Sequence, residues 1–303
     1  MRYNRRNERI CAITAAMSDG TGLEEWRGVF PQRFFDVGIA EEHALTFAAG
    51  LAANGMRPCA AIYSTFLQRG YDNIIHDIAL QGLPVVIGVD RAGLNPKDGA
   101  THHGIFDVAF LSQIPGITIY APTTAEGLRR SLKAAFELNA PAAIRYPSGK
   151  ENSEVVSRFY SGGYGELGLK KDFDEADAVI ITYGRIVAEA MKAADRLREQ
   201  GIRVGIILLE ILKPYDRCAE LVAKALPANT RSVLFLEEEI RSGGMGMNLS
   251  DKLRGLLEQR GLAYDILATD DDFVAVVEKE QSIYAAAGVD AEHICQKIKD
   301  ITQ

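Results

Sequence analysis

Cysteine is scarce in this chain. There are four in 303 residues, at Cys11, Cys59, Cys218 and Cys295, and none belongs to a C-x-x-C pair. That spacing excludes a disulfide scaffold or a zinc ribbon, and it fits a reducing cytoplasm. An excess of positive charge is missing too. Lys and Arg number 34 against 41 Asp and Glu, a net charge of −7, whereas a nucleic-acid surface needs a cationic patch. No stretch reaches the roughly eighteen uncharged apolar residues that a membrane span requires. The charged start, Met-Arg-Tyr-Asn-Arg-Arg-Asn-Glu, is not expected to act as a secretory signal. No G-x-S-x-G elbow and no P-loop occurs.

What remains is an ordinary globular composition, 47% hydrophobic and 25% charged, enough to bury a core. At about 150 residues per domain the length predicts two domains. The chain alternates short apolar runs, polar turns and amphipathic runs. Ile10–Ala16, Phe34–Val37, Pro58–Tyr63, Pro84–Val89, Ile117–Tyr120 and Ala142–Arg145 read as strands. Glu41–Asn54, Phe66–Gln81 and Thr124–Asn139 read as helices. A polar, glycine-rich crossing follows, and the same alternation resumes from Ala178, with a strand over Ser232–Leu236 and a helix over Gly246–Arg260. The expectation is two successive three-layer α/β/α domains with mostly parallel sheets, residues 1–150 and 177–303, joined by a linker over 151–176.

In such sheets ligands bind beyond the carboxyl ends of the strands. Three loops of the first half sit at those ends and carry polar groups that packing does not require. The first leads into a helix at Glu41, where the plain alternative is an acid that favours the helix start. The second holds Tyr63, Phe66 and Arg69, three residues apart, and so able to share one face as a stacking platform for a flat heterocycle. The third holds Arg91, Asp98, His102 and His103, in which Asp98 and His102 could orient one another and move a proton. Adjacent histidines diverge, so no metal is assigned there. The run Arg241-Ser242-Gly243-Gly244-Met245-Gly246 opens a helix, but Leu249 stands where a third glycine of G-x-G-x-x-G belongs, so a structural turn is expected.

At these loops the sequence closely resembles the 1-deoxy-D-xylulose-5-phosphate synthases of the transketolase family. The resemblance is carried by Ala12–Leu23 (AITAAMSDGTGL), Arg33–Ala44 (RFFDVGIAEEHA), Ala61–Asp72 (AIYSTFLQRGYD), Asp90–Leu94 (DRAGL) and Asp98–Asp107 (DGATHHGIFD). It covers nearly the whole chain but only the family's C-terminal half, a pyrimidine-binding domain followed by the transketolase C-terminal domain. What it implies is specific. Glu41 matches the glutamate that hydrogen-bonds the pyrimidine N1′ of thiamine diphosphate and shares a proton there. Phe66 matches the residue that stacks on the pyrimidine, with Tyr63 and Arg69 beside it. Arg91 matches a ligand of the phosphate of glyceraldehyde 3-phosphate, and Asp98 and His102 match groups near the substrate. The family reaction decarboxylates pyruvate and joins the two-carbon unit to that aldehyde, feeding isoprenoid and thiamine synthesis.

Two departures from the family pattern shape the expectations. The G-D-G motif with a downstream Asn, which holds Mg2+ and the diphosphate, does not occur in this sequence. The resemblance therefore implies that an N-terminal half or subunit carries the Mg2+ site and that this chain by itself is inactive. The short polar lead before Ile10 is likewise what a split or shortened chain is expected to have. In addition, Arg145-Tyr146-Pro147-Ser148-Gly149 resembles R-Y-P-R-G, with Ser148 where a phosphate-binding arginine stands. Loss of one charge-assisted bond is worth about 1.5–3 kcal/mol. The alternatives are the small subunit of a split transketolase-type ketol transferase with another acceptor, or a non-catalytic scaffold of the same fold. A homodimer is expected, because family active sites form between domains.

Overall fold

The computed structural model describes residues 7–96, 99–274 and 283–302. Its strands are β1 (Ile10–Thr14), β2 (Phe34–Asp36), β3 (Arg57–Tyr63), β4 (Val86–Asp90), β5 (Thr118–Tyr120), β6 (Ala142–Tyr146), β7 (Leu169–Lys171), β8 (Ala178–Tyr183), β9 (Val204–Leu209), β10 (Ile211–Lys213), β11 (Ser232–Ile240) and β12 (Ala263–Thr269). They form a seven-stranded sheet ordered β10-β5-β6-β4-β3-β1-β2 and a five-stranded sheet ordered β12-β11-β8-β9-β7. All pairings are parallel except β10 with β5 and β7 with β9. The expected two-sheet, mostly parallel α/β architecture is present. Every residue of β1, β4, β8 and β9 is buried, as helices on both faces demand.

The order of the first sheet reverses around β1. The chain runs from β1 outward to β2, then returns to the other side of β1 for β3 and continues to β4. The crevice at the carboxyl ends of β1 and β3 is thus a switch point, where an open α/β sheet leaves room for a ligand. Two features draw the surrounding chain close. At Gly20 a Cβ would stand 1.6 Å from the Tyr63 hydroxyl, so the turn after β1 lies directly against the end of β3. The helix Glu41–Ala53 buries Ala44, Leu45, Ala48, Ala49 and Ala52, a small-residue face that admits near neighbours. At Gly70 a Cβ would stand 2.2 Å from a Leu45 methyl.

The structure corrects several sequence expectations. The helix expected over Phe66–Gln81 begins at Ser64 and is broken into an α turn (Ser64–Leu67), a 3₁₀ turn (Gln68–Gly70), a second α turn (Tyr71–Asn73) and a π turn (Ile74–Ala79). The close approach of Gly70 to Leu45 falls in the 3₁₀ turn. The crossing after β6 is not irregular throughout. Asn152 accepts the Glu154 N–H at 2.8 Å and so caps a helix over Ser153–Tyr160, and β7 joins the second sheet. Strand β11 extends four residues beyond Leu236, through three buried glutamates. Helices Glu24–Val29 and Asp107–Ser112, and strand β10, carried no clear sequence signal. Strand β10 follows β9 by one residue yet pairs antiparallel with β5, with Ile211 opposite Tyr120. The second half of the chain thereby completes the sheet of the first. No helix among the described residues is long and apolar enough to cross a membrane, and all four cysteines are free thiols.

Candidate functional site

Glu41 is the first residue of its helix and is only 2% exposed. A buried carboxylate needs a partner, and its Oε1 accepts a hydrogen bond from the Arg69 guanidinium at 2.9 Å. The Arg69 guanidinium also lies 5.1 Å from the Phe66 ring centre. The Phe66 and Tyr63 rings are near-parallel, 25° apart with centres 5.9 Å apart. Arg91 covers the Tyr63 ring at 4.0 Å, and the His102 and Phe66 rings meet in a T, with centres 5.5 Å apart. The structure therefore brings Glu41, Tyr63, Phe66, Arg69, Arg91 and His102 into one continuous chain of contacts at the switch point. Asp98, the remaining residue singled out from the sequence, lies outside the described residues.

The loops that carry these groups are tied together. Thr65 Oγ1 donates to Thr101 O at 3.0 Å, and the Thr101 hydroxyl lies 2.9 Å from His102 Nδ1. His103 points inward instead. Its Nδ1 accepts the Asn95 N–H at 3.0 Å, which places any neutral-ring proton on Nε2, and burial lowers its pKa. Arg91 has φ of 57°, a left-handed conformation that costs a non-glycine residue free energy and recurs at functional sites. Gly93 and Gly104 exchange backbone hydrogen bonds of 2.7 and 2.9 Å across the base of the loop.

Asp90, the last residue of β4, is buried beside Tyr146, and burial pushes its carboxyl up to about 6, against the pull of the Arg91 N–H and the Tyr146 hydroxyl. An acid whose pKa is raised by folding stabilises the fold fully below its unfolded value, near 3.8, and that contribution fades as pH rises through 6. Asp90→Asn should remove this dependence. In urea unfolding from pH 4 to 7, the wild type should lose about 2 kcal/mol relative to the variant. Parallel curves for the two proteins would contradict the assignment.

Behind the ring site lies a buried ionic cluster that the sequence reading missed. Ser64 donates to Asp107 at 2.9 Å. Arg145 donates to Asp107 at 2.8 Å and to Glu239 on β11. Asp107 and Glu239 are fully buried and Arg145 is 3% exposed. Burial, reinforced by Asp107, holds the Glu239 carboxyl well above the usual carboxylate range. Arg145, quoted above only as the start of a loop motif, is thus a structural cation. Glu237 takes the N–H groups of Met245 and Gly246, both at 2.8 Å, and the Tyr183 hydroxyl at 2.9 Å. The start of the helix at Met245 is therefore filled by the protein's own carboxylate, in line with a structural turn at the glycine run. The one signal for this cluster was the acidic run at the end of an apolar strand. A cleft of about 940 Å³ lies elsewhere, lined among others by Thr124, Tyr146, Val155, Arg185 and Lys192; none of the ring-site side chains lines it.

An aromatic pair beside a buried carboxylate at the switch point of a parallel sheet offers a stacking face and a hydrogen-bonding acid side by side. Residues 1–152 match the profile of the transketolase pyrimidine-binding domain, and residues 168–294 that of the transketolase C-terminal domain. The chain belongs to the transketolase family. Within it, the chain is similar to the C-terminal half of 1-deoxy-D-xylulose-5-phosphate synthases. It is 43% identical over 298 residues to the synthase of Syntrophotalea carbinolica, covering 97% of this chain and 45% of that protein. It is 44% identical over 295 residues to synthase 1 of Geobacter sulfurreducens, covering 96% and 45%. The chain thus spans less than half the length of these curated relatives. Among solved structures, a split-gene transketolase described as an inactive beta4 tetramer superposes with TM-score 0.83 and 26% identity, covering 99% of this chain and 94% of that one. A transketolase from Pichia stipitis shares the fold, with TM-score 0.71 and 18% identity over 97% of this chain and 43% of its own.

Proposed function

We propose that the chain is the pyrimidine-binding and C-terminal portion of a thiamine-diphosphate-dependent 1-deoxy-D-xylulose-5-phosphate synthase, with one unit over 1–150, a linker over 151–176 and a second unit over 177–303. The observation that carries the reading is the placement of Glu41: a carboxylate 2% exposed, at the foot of the Tyr63–Phe66 platform. Its donor set fits the ring end of the cofactor. Phe66 and Tyr63 offer aromatic faces, and Glu41 offers a carboxylate that can hydrogen-bond a ring nitrogen and hold or pass its proton. Arg69 occupies that carboxylate here and, being half exposed, has room to turn aside. When bound, thiamine diphosphate supplies the carbanion-stabilising centre for decarboxylation and carbon–carbon bond formation. The chain's own groups would bind and orient: Arg91 an anionic end of the acceptor aldehyde, Asp98 and His102 the polar atoms of the substrates.

Mg2+ and the diphosphate tail are assigned to an N-terminal half, carried by a separate polypeptide or a preceding segment, so that this chain alone is inactive. The split-gene neighbour supports this division and supports self-association of the chain, with a homodimer as the working unit. Mixing the chain with the N-terminal half of a synthase, Mg2+, thiamine diphosphate, pyruvate and glyceraldehyde 3-phosphate should release carbon dioxide and yield the pentulose phosphate, with neither half active alone. A confirmed complex without turnover would refute the specific activity. The second reading, a split transketolase-type ketol transferase, is favoured by the same neighbour and by Ser148. It requires unphosphorylated aldehydes to be used at least as well as glyceraldehyde 3-phosphate in that assay. A non-catalytic scaffold would give no turnover with any acceptor.

A further inference from the structure

The loop that leaves β4 carries Arg91 in its strained left-handed conformation, and something must hold it there. Within the first half, Ala92 N–H donates to Tyr146 O at 3.1 Å, and Gly93 is bridged to Gly104. The next residue is held from the second half on both sides of its backbone. Leu94 N–H donates to Glu238 Oε2 at 3.0 Å. Leu94 O accepts from the Arg185 guanidinium at 2.8 Å, and the same guanidinium donates to Ser148 O at 3.2 Å. Glu238 is 1% exposed and approaches so closely that a Cβ on Gly93 would lie 2.4 Å from its carboxyl carbon. Glu238 sits on β11 and Arg185 just beyond β8, so the clamp joins the core of the second sheet to a loop of the first. Both side chains hold the loop at the Gly93–Leu94 backbone.

We propose that Glu238 and Arg185 are positioning residues that fix the Arg91 loop from the C-terminal domain and thereby set the affinity for an anionic acceptor. The assignment of Arg91 to the acceptor rests on the function proposed above; the clamp itself does not. A backbone N–H that donates to a buried carboxylate exchanges with solvent only after the loop opens, and loss of a charge-assisted hydrogen bond weakens what it holds.

The test uses Glu238→Ala and the conservative Glu238→Gln, whose amide oxygen still accepts the Leu94 N–H. In the chain itself, hydrogen exchange at Leu94 should accelerate about a hundredfold in Glu238→Ala and return to within about tenfold of the wild type in Glu238→Gln. In the reconstituted enzyme, Glu238→Ala should raise KM for glyceraldehyde 3-phosphate about tenfold, while KM for pyruvate moves less than about twofold. A purely structural role would lower stability without separating the two KM values. If Glu238→Ala does not fold, Gly93→Ala, which pushes on the carboxylate from the loop side, should produce the same split beside Glu238→Gln. Unchanged Leu94 exchange, or KM values that rise together, would overturn the proposal. Absent turnover with wild-type chain would overturn the function proposed above instead, and the exchange at Leu94 would still decide the clamp.

Discussion

Glu41→Gln should lower turnover of the reconstituted enzyme by about 10²–10⁴-fold, the usual range for removing a positioned proton-transfer group. The amide matches the carboxylate in shape and keeps an oxygen that can accept from Arg69. It cannot hold or release a proton at the ring nitrogen. Because Arg69 is half exposed, the lost ion pair is partly screened, and the variant should unfold within about 1 kcal/mol of the wild type. Stability and activity are therefore expected to separate. Full activity in the variant would remove Glu41 from the chemistry. A large loss of stability would instead mark it as a structural acid at the start of its helix.

The largest stability effect should come from Arg145→Met, which fills much of the same space but strands Asp107 and Glu239 without their cation. Removing one partner of a buried ionic cluster costs about 3–5 kcal/mol, because the remaining charge stays out of water. Here two carboxyls face the loss, and both are fully buried. Glu239 is already pushed toward its neutral form, which moderates the cost, and Asp107 retains the Ser64 hydroxyl. The urea midpoint should fall accordingly, and adding Glu239→Gln should restore part of the loss. A change below about 1 kcal/mol would mean that the cluster relaxes or takes up water. The effect should reach the ring site as well, since Ser64 follows Tyr63 directly and anchors the platform to Asp107.

The alternation of β1, β3, β4 and β6 with helical runs was legible because each strand is built around an unbroken apolar core, with its charged residues at or near the ends. The loops bearing Glu41, Tyr63, Phe66, Arg69, Arg91 and His102 were legible because polar groups at strand ends have no packing reason to be there. The cluster of Arg145, Asp107 and Glu239 was not. Three successive glutamates read as the end of a strand, and the burial of Glu239 rests on an arginine 94 residues away. Strand β10 escaped notice for a similar reason: Ile-Leu-Lys is too short to show a period, and its partner Tyr120 lies far back in the chain. The π turn at Ile74–Ala79 is tied to the helix Glu41–Ala53 by Thr46, whose hydroxyl donates to Asp77, a partner that local sequence does not encode.

The borrowed strand has a practical corollary for anyone who would dissect the protein. Cutting near the junction of the two sheets would strip β5 of its neighbour and expose a bare row of amide and carbonyl groups, the template from which intermolecular strand pairing and precipitation begin. A soluble excised first half should therefore need the Ile211–Lys213 segment supplied as a peptide or grafted in cis. Chimaeras between relatives should be spliced elsewhere than between residues 150 and 213.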